Sequence, residues 1–127
     1  MIYLDSSAIV KLIGPEPEGG ALRTALAGSP TASSDLAKVE VLRAVNRRWP
    51  ALAERAGSVL GGVVFVGMGA EVIRRAVMVQ PTTVRSLDAI HIATALAFGN
   101  ELDAMVTYDQ RMAEAGRNSG IHVLAPA

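Results

Sequence analysis

The chain has 127 residues, with 12 basic and 12 acidic side chains, no cysteine and a hydrophobic fraction of 50%. This length suits one domain spanning residues 1–127, and the balanced charge excludes attraction of the whole molecule to nucleic acid. The absence of cysteine excludes disulfides and thiolate zinc sites, while the high apolar fraction favours a surface that a partner covers.

Short apolar runs alternate with helical patterns along the chain. The predicted strands are residues 2–4, 31–33, 63–66, 104–107 and 121–123. The predicted helices are residues 8–13, 20–27, 35–48, 51–60, 70–79, 87–98 and 109–117. Strands that alternate with helices predict an α/β fold in which a mainly parallel sheet of four or five short strands is covered on both faces.

The chain shows no pattern of a targeting or membrane segment. Its first residues lack the basic region and the longer apolar stretch of a signal peptide. The longest uncharged run, residues 56–70, is interrupted by glycines and is shorter than the roughly 20 apolar residues of a membrane helix. We therefore expect a cytoplasmic protein without a membrane partner.

Four acidic residues stand where such a fold would bring them together. Asp5 and Asp109 follow strands, Asp88 lies in the first turn of a helix, and Glu40 lies inside a helix. Ligands of open α/β sheets bind beyond the carboxyl ends of the strands. Two carboxylates 4 Å apart repel by about 4 kcal/mol at an effective dielectric constant near 20, so the cluster requires a proton or a metal ion, and the full quartet indicates a divalent cation.

The chemistry of these donors indicates which cation and which reaction. Hard oxygen ligands without a thiolate favour Mg²⁺ or Mn²⁺ over zinc. In such a site the metal activates a water and holds a phosphate, which is the logic of phosphodiester hydrolysis.

Each acid also has a structural alternative. Asp88 could simply favour a helix N-terminus, and Asp109 could be a bystander in a capping box formed by residues 107–110. Glu40 could pair with Arg43, three residues further along the helix. Arg43 and Arg47 share a helix face with Glu40, and they could be solvated or could contact RNA phosphates.

Other titratable residues are weaker candidates. His91 follows Asp88 by three residues, a spacing that allows metal ligation, but an isolated histidine is more typical of packing. We interpret His122 as structural, and Glu101 and Asp103 as loop acids.

Four segments, taken together and in order, resemble the PIN-domain ribonucleases. They are residues 2–12 (IYLDSSAIVKL), 36–45 (LAKVEVLRAV), 85–95 (RSLDAIHIATA) and 106–112 (VTYDQRM). Within that family they look most like the VapC-type toxins of bacterial toxin–antitoxin pairs. The resemblance implies a three-layer α/β/α fold over the whole chain.

The resemblance also implies an activity and partners. It implies a Mg²⁺-dependent endoribonuclease, in which Mn²⁺ can substitute, that acts on cellular RNA and is usually a homodimer. A cognate VapB-type antitoxin would occupy the acidic pocket, and DNA binding would not belong to this chain alone. Because the chain has only five aromatic residues, mostly at core-like positions, we expect recognition of structured RNA of the tRNA or rRNA class, not base stacking.

Carried over residue by residue, the resemblance assigns roles within the site. The acidic quartet falls on Asp5, Glu40, Asp88 and Asp109. Asp5, Asp88 and Asp109 would bind the metal directly or through water, and Glu40 would hold a water, a second metal or both. The small hydroxyl residues near the metal fall on Ser6 and Thr107. Arg43 would steady the cluster or contact RNA.

Three other classes of protein compete with the ribonuclease interpretation. A receiver domain needs adjacent acids after the first strand and a late lysine, but this chain has no lysine after Lys38. A phosphatase with two aspartates separated by one residue fails because Ser7 stands at the second position. A catalytically silent PIN-like module that binds RNA or protein would have lost site acids, and all four are present.

Overall fold

The central sheet consists of five short strands. A computed structural model describes residues 1–127. The strands are β1 (Ile2–Leu4), β2 (Thr31–Ser34), β3 (Val64–Val66), β4 (Ala104–Val106) and β5 (Val123–Leu124). All neighbouring strands are parallel, in the spatial order β3-β2-β1-β4-β5. Their carboxyl ends therefore lie at one edge of the sheet.

Seven helices connect and cover the strands. They are α1 (Ser6–Ile13), α2 (Gly19–Leu26), α3 (Asp35–Arg48), α4 (Ala53–Gly61), α5 (Ala70–Val77), α6 (Ser86–Leu96) and α7 (Gln110–Asn118). Short 3-10 turns precede α4 and β4, at Pro50–Leu52 and Gly99–Glu101. No helix combines the length and the apolar character needed to cross a bilayer.

Alternation along β1 divides the core between the two faces of the sheet. Ile2 and Leu4 pack with α1 to α4 in one apolar cluster, while Tyr3 packs with α6 and α7 in the other. This follows from the period of two in a strand, which sends neighbouring side chains to opposite faces. The predicted three-layer α/β/α fold with a parallel sheet is confirmed.

The element boundaries differ from the predictions by up to two residues along the chain; α1, for example, begins at Ser6 instead of residue 8, and α5 ends at Val77 instead of residue 79. The last strand was expected at residues 121–123 but lies at Val123–Leu124. The reason is that the Ile121 amide bonds the carbonyl of Gly116 at the end of α7, so Ile121 still belongs to the helix ending. Gly116 itself lets α7 lie close to the sheet, because a β-carbon there would stand 2.5 Å from Met105 Cε.

Candidate active site

The four predicted acids line one cleft at the carboxyl edge of the sheet. Asp5 follows β1, Glu40 lies in α3, Asp88 in the first turn of α6, and Asp109 directly precedes α7. Together they border a cavity of about 280 Å³. Residues as distant in sequence as Asp5 and Asp109 are thus brought to one place by the parallel sheet and its crossover helices.

Asp5 is the most buried of the four and is held by neutral donors. Its Oδ1 accepts hydrogen bonds from Ser7 Oγ at 2.6 Å and from the Ala8 amide at 3.0 Å, so Asp5 caps α1. Its Oδ2 accepts one from Thr107 Oγ1 at 2.5 Å. Burial raises the pKa of Asp5 above its ordinary value, and the hydrogen bonds from Ser7 and Thr107 only partly offset this.

Glu40 is held through one of its two oxygens. Oε1 accepts hydrogen bonds from Ser6 Oγ at 2.5 Å and from His91 Nε2 at 2.7 Å, and no protein group donates to Oε2. Burial alone would raise the pKa of Glu40, but the hydrogen bonds from His91 and Ser6 outweigh it, and the net shift is downward. The carboxylate of Glu40 is therefore ionised and has one free oxygen.

Asp88 and Asp109 are held together by an arginine. Arg85 Nε donates to Asp88 Oδ2 at 2.9 Å, and Arg85 Nη2 donates to Asp109 Oδ2 at 3.2 Å. The hydrogen bond and the charge of Asp88, followed by those of Asp109, raise the pKa of Arg85. The guanidinium thus supplies the positive charge on this side of the cleft.

Asp109 also caps the N-terminus of α7. Its Oδ1 accepts hydrogen bonds from the amides of Arg111 and Met112, which makes Asp109 the N-cap of α7. The capping box of residues 107–110, with Asp109 as a bystander, is therefore wrong. Thr107 turns its hydroxyl to Asp5 instead and accepts a bond from the Asp109 amide.

Two contacts at the site correct the weaker assignments. The alternative pairing of Glu40 with Arg43 is absent, and Glu40 instead bonds His91 on another helix. His91 lies in the cleft with its ring nitrogens occupied by Glu40 and Tyr3. Arg43 makes no ion pair and does not border the cleft, so the arginine that steadies the carboxylates is Arg85.

The remaining candidates lie outside the cleft. Arg47 is exposed on α3 and makes no ion pair. Glu101 lies in a 3-10 turn, and Asp103 binds the terminal amine of Met1 at 2.6 Å. His122 is exposed and makes no side-chain hydrogen bond, so its interpretation as a structural residue is not supported.

Sequence reasoning did not identify Ser7 and Arg85 as site residues. Ser7 bonds Asp5, whereas Ser6, the residue chosen for that neighbourhood, bonds Glu40. The spacing of Arg85 three residues before Asp88 at a helix start was the available signal, because such pairs are neighbours on a helix.

The oxygen atoms that line the cleft are of the type that binds hard divalent cations. Carboxylate oxygens from four side chains, with no thiolate, suit Mg²⁺ or Mn²⁺. In the conformation described, no three acidic or histidine side chains converge closely enough to hold an ion as they stand. Arg85 instead joins Asp88 and Asp109, and a cation that bound these oxygens would replace the guanidinium.

The sequence matches one protein family over nearly its whole length. The PIN domain family profile matches residues 2–118. Ribonuclease VapC47 of Mycobacterium tuberculosis is 42% identical over 132 residues, which cover 99% of this chain and 97% of the relative.

Two solved structures share the fold. A toxin–antitoxin complex from Klebsiella pneumoniae matches with a TM-score of 0.75 at 20% identity, over 100% of this chain and 98% of that chain. Mycobacterium tuberculosis VapC20, described as a toxin that cleaves the sarcin–ricin loop, matches with a TM-score of 0.74 at 20% identity, over 91% of this chain and 95% of that chain.

Proposed function

This chain belongs to the PIN-domain family and, within it, to the VapC ribonucleases, and from that membership we propose that it is a metal-dependent endoribonuclease that acts as the toxin of a toxin–antitoxin pair. The observation that supports this proposal most directly is the convergence of Asp5, Glu40, Asp88 and Asp109 on one cleft. All 127 residues would form a single PIN domain.

Asp5, Asp88 and Asp109 would hold Mg²⁺, or Mn²⁺ in its place. Bound there, the ion would lower the pKa of a water and neutralise charge on the phosphate. Glu40 Oε2 accepts no hydrogen bond from the protein, so it is available to orient the attacking water, to take its proton or to meet a second ion. Thr107 and Ser7 keep Asp5 in place through hydrogen bonds, and Ser6 does the same for Glu40.

The RNA would be recognised by its shape and its backbone, as in structured RNA of the tRNA or rRNA class. Tyr3 is fully buried, and Lys11 Nζ lies over one face of the Tyr108 ring, 5.2 Å from its centroid, so these two rings offer little surface for base stacking. Arg43 and Arg47 are exposed and free of ion pairs, which leaves them available for phosphates. VapC20, which has the same fold, is a sarcin–ricin loop cleaving toxin, and this agrees with a structured RNA target. We also propose a cytoplasmic location, which suits a toxin that acts on RNA of this class.

A VapB-type antitoxin and a second copy of this chain are the proposed protein partners. The Klebsiella pneumoniae relative in fold is a toxin–antitoxin complex. Exposed apolar side chains that a partner could cover, namely Ile73 and Val77 on α5 and Met68 before it, border an apolar cleft of about 370 Å³. We assign this cleft to the homodimer and the acidic cleft to the antitoxin.

The test is cleavage of total RNA by the purified chain. Discrete fragments are expected with Mn²⁺, and none with EDTA or with Asp5→Asn, which retains the shape of the side chain but lacks its charge. Asp103→Asn is the matched control, because Asp103 is an exposed acid outside the cleft, and it should cleave like the wild type.

Two results would contradict the proposal. Fragments that persist with EDTA and with Asp5→Asn would show that the acidic cleft is not the nuclease site. No cleavage by folded, metal-loaded wild-type protein would favour the catalytically silent PIN-like module that binds RNA or protein.

A further inference from the structure

A chain of three side chains connects the core of the protein to Glu40. The hydroxyl of Tyr3, which is fully buried in β1, lies 2.7 Å from His91 Nδ1. His91 Nε2 lies 2.7 Å from Glu40 Oε1. The rings of Tyr3 and His91 meet edge to face, with centroids 5.9 Å apart and an interplanar angle of 72°. His91 is 1% exposed and both its ring nitrogens are occupied by Tyr3 and Glu40, so neither nitrogen is free for a substrate.

The direction of the hydrogen bonds follows from the chemistry of the partners. An ionised carboxylate only accepts hydrogen bonds, so Nε2 of His91 must carry the proton that is donated to Glu40. Burial raises the pKa of Tyr3, so the phenol keeps its proton and can donate it to Nδ1. A neutral His91 with its proton on Nε2 satisfies both contacts.

The two donors to Glu40 act on the same oxygen from different helices. Ser6 donates from α1 and His91 from α6, while Glu40 itself belongs to α3. The carboxylate is therefore fixed by Oε1, and Oε2 remains without a protein donor. Partners of this kind usually set the orientation of a functional carboxylate or imidazole.

We propose that His91, oriented by Tyr3, is the positioning residue of Glu40, holding Oε1 so that Oε2 is presented to the reacting groups. The hydrogen bonds from Tyr3 to His91 and from His91 to Glu40 do not depend on the proposed ribonuclease function. Its effect on cleavage rests on the proposed ribonuclease function.

The first test uses no activity. Long-range ¹H–¹⁵N correlation spectra of the metal-free wild-type protein report which ring nitrogen carries the proton. The chain has two histidines, and His122→Gln assigns the signals by removing one of them. A proton on Nε2 of His91 is expected. A neutral ring protonated on Nδ1 would overturn the proposal, since Nε2 could then not donate to Glu40.

The second test compares two amides that differ by one methylene. The amide nitrogen of His91→Gln can occupy the position of Nε2 and donate to Glu40, whereas the amide of His91→Asn reaches only the position of Nδ1. His91→Asn is expected to lower kcat by about 10–100-fold, the usual effect of losing such a partner, with KM for RNA unchanged. His91→Gln should recover most of this loss, and the exposed control His122→Gln should behave like the wild type.

Equal losses in His91→Asn and His91→Gln would indicate that His91 contributes only packing, and wild-type kcat in His91→Asn would also refute the positioning role.

If His91→Asn does not fold, Tyr3→Phe replaces it, because it retains the ring and removes only the hydroxyl. Tyr3→Phe should lower kcat by less than the range given for His91→Asn, again with KM unchanged, and an unchanged kcat would exclude Tyr3 from the chain. If the wild type cleaves no RNA, the ribonuclease proposal fails while the spectra still decide the hydrogen bond.

Discussion

The two sides of the acidic cleft are built differently. On the inner side, Asp5 and Glu40 are held by hydroxyl, backbone amide and imidazole groups, and Asp5 is 3% exposed. On the outer side, the Oδ2 atoms of Asp88 and Asp109 are held by the charged Arg85, whose side chain is 57% exposed, while Asp109 Oδ1 caps α7. The contacts of the inner side are therefore largely sheltered from water, whereas the two Oδ2 atoms of the outer side depend on a solvated side chain.

This difference bears on how the cleft could accept a cation. Hydroxyl and imidazole donors can remain in place while a carboxylate binds a metal, as outer partners commonly do. A guanidinium carries the same sign of charge as the metal, so it must leave the carboxylates that the metal takes. We therefore expect changes on the inner side to weaken the site and removal of Arg85 to favour metal binding.

Thr107→Val breaks the inner side and should have the largest effect. Valine has nearly the shape of threonine but cannot donate to Asp5 or accept from the Asp109 amide. We expect Mn²⁺ affinity or the cleavage rate to fall about 10–100-fold, measured by calorimetry and by single-turnover cleavage.

Thr31→Val provides the control for this substitution, because Thr31 bonds the Gly62 carbonyl at an exposed site outside the cleft. It should match the wild type in both measurements. Equal losses in the two variants would mean that the hydroxyl of Thr107 has no particular part in the inner side.

The pH dependence of stability separates the two inner acids in the metal-free protein. The pKa of Asp5 is raised from its ordinary value of 3.8, so its contribution to stability is present below that value and is lost as pH rises through the folded pKa. The pKa of Glu40 is lowered from 4.5, so its contribution is present above 4.5 and is lost as pH falls through the folded pKa.

Denaturant unfolding in EDTA between about pH 3 and 8 measures both effects. Asp5→Asn should remove part of the loss of stability on raising the pH, and Glu40→Gln should remove part of the loss on lowering it. When the proton affinity of an acid differs tenfold between the folded and unfolded states, the free energy of unfolding changes by about 1.4 kcal/mol. If both variants alter the same limb of the profile, the opposite environments inferred for these acids are wrong.

The fold was predictable because its signals are local. Short, mostly apolar runs between helical patterns marked every strand except the polar β2, and the alternation of strands with helices indicated the parallel sheet. The convergence of the acids followed from the same argument, since Asp5 and Asp109 each follow a strand in a parallel sheet. Glu40 and Asp88 were chosen from their positions inside a helix and in the first turn of a helix, and the resemblance to a known family assigned the same four acids to one site.

The partners of the acids were not predictable in the same way. Ser6 and Ser7 are adjacent, and which acid each one contacts depends on where α1 begins relative to the sheet. The bond between His91 and Glu40 spans 51 residues and depends on how α3 and α6 pack. Periodicity assigns residues to elements and faces, but it contains no distances between side chains of different elements.

Arg85→Gln tests the outer side and should have the smallest effect, in the opposite direction. The ion pairs of Arg85 are exposed to solvent, and water screens such pairs strongly, so Mn²⁺ should bind only up to about 5-fold more tightly once the competing charge is gone. Arg117→Gln removes the same charge from an exposed residue of α7 that makes no ion pair, and calorimetry of both variants separates local competition from the change in net charge. Weaker binding in Arg85→Gln alone would mean that the arginine organises Asp88 and Asp109 for the ion, and that its contact supports the outer side instead of competing for it.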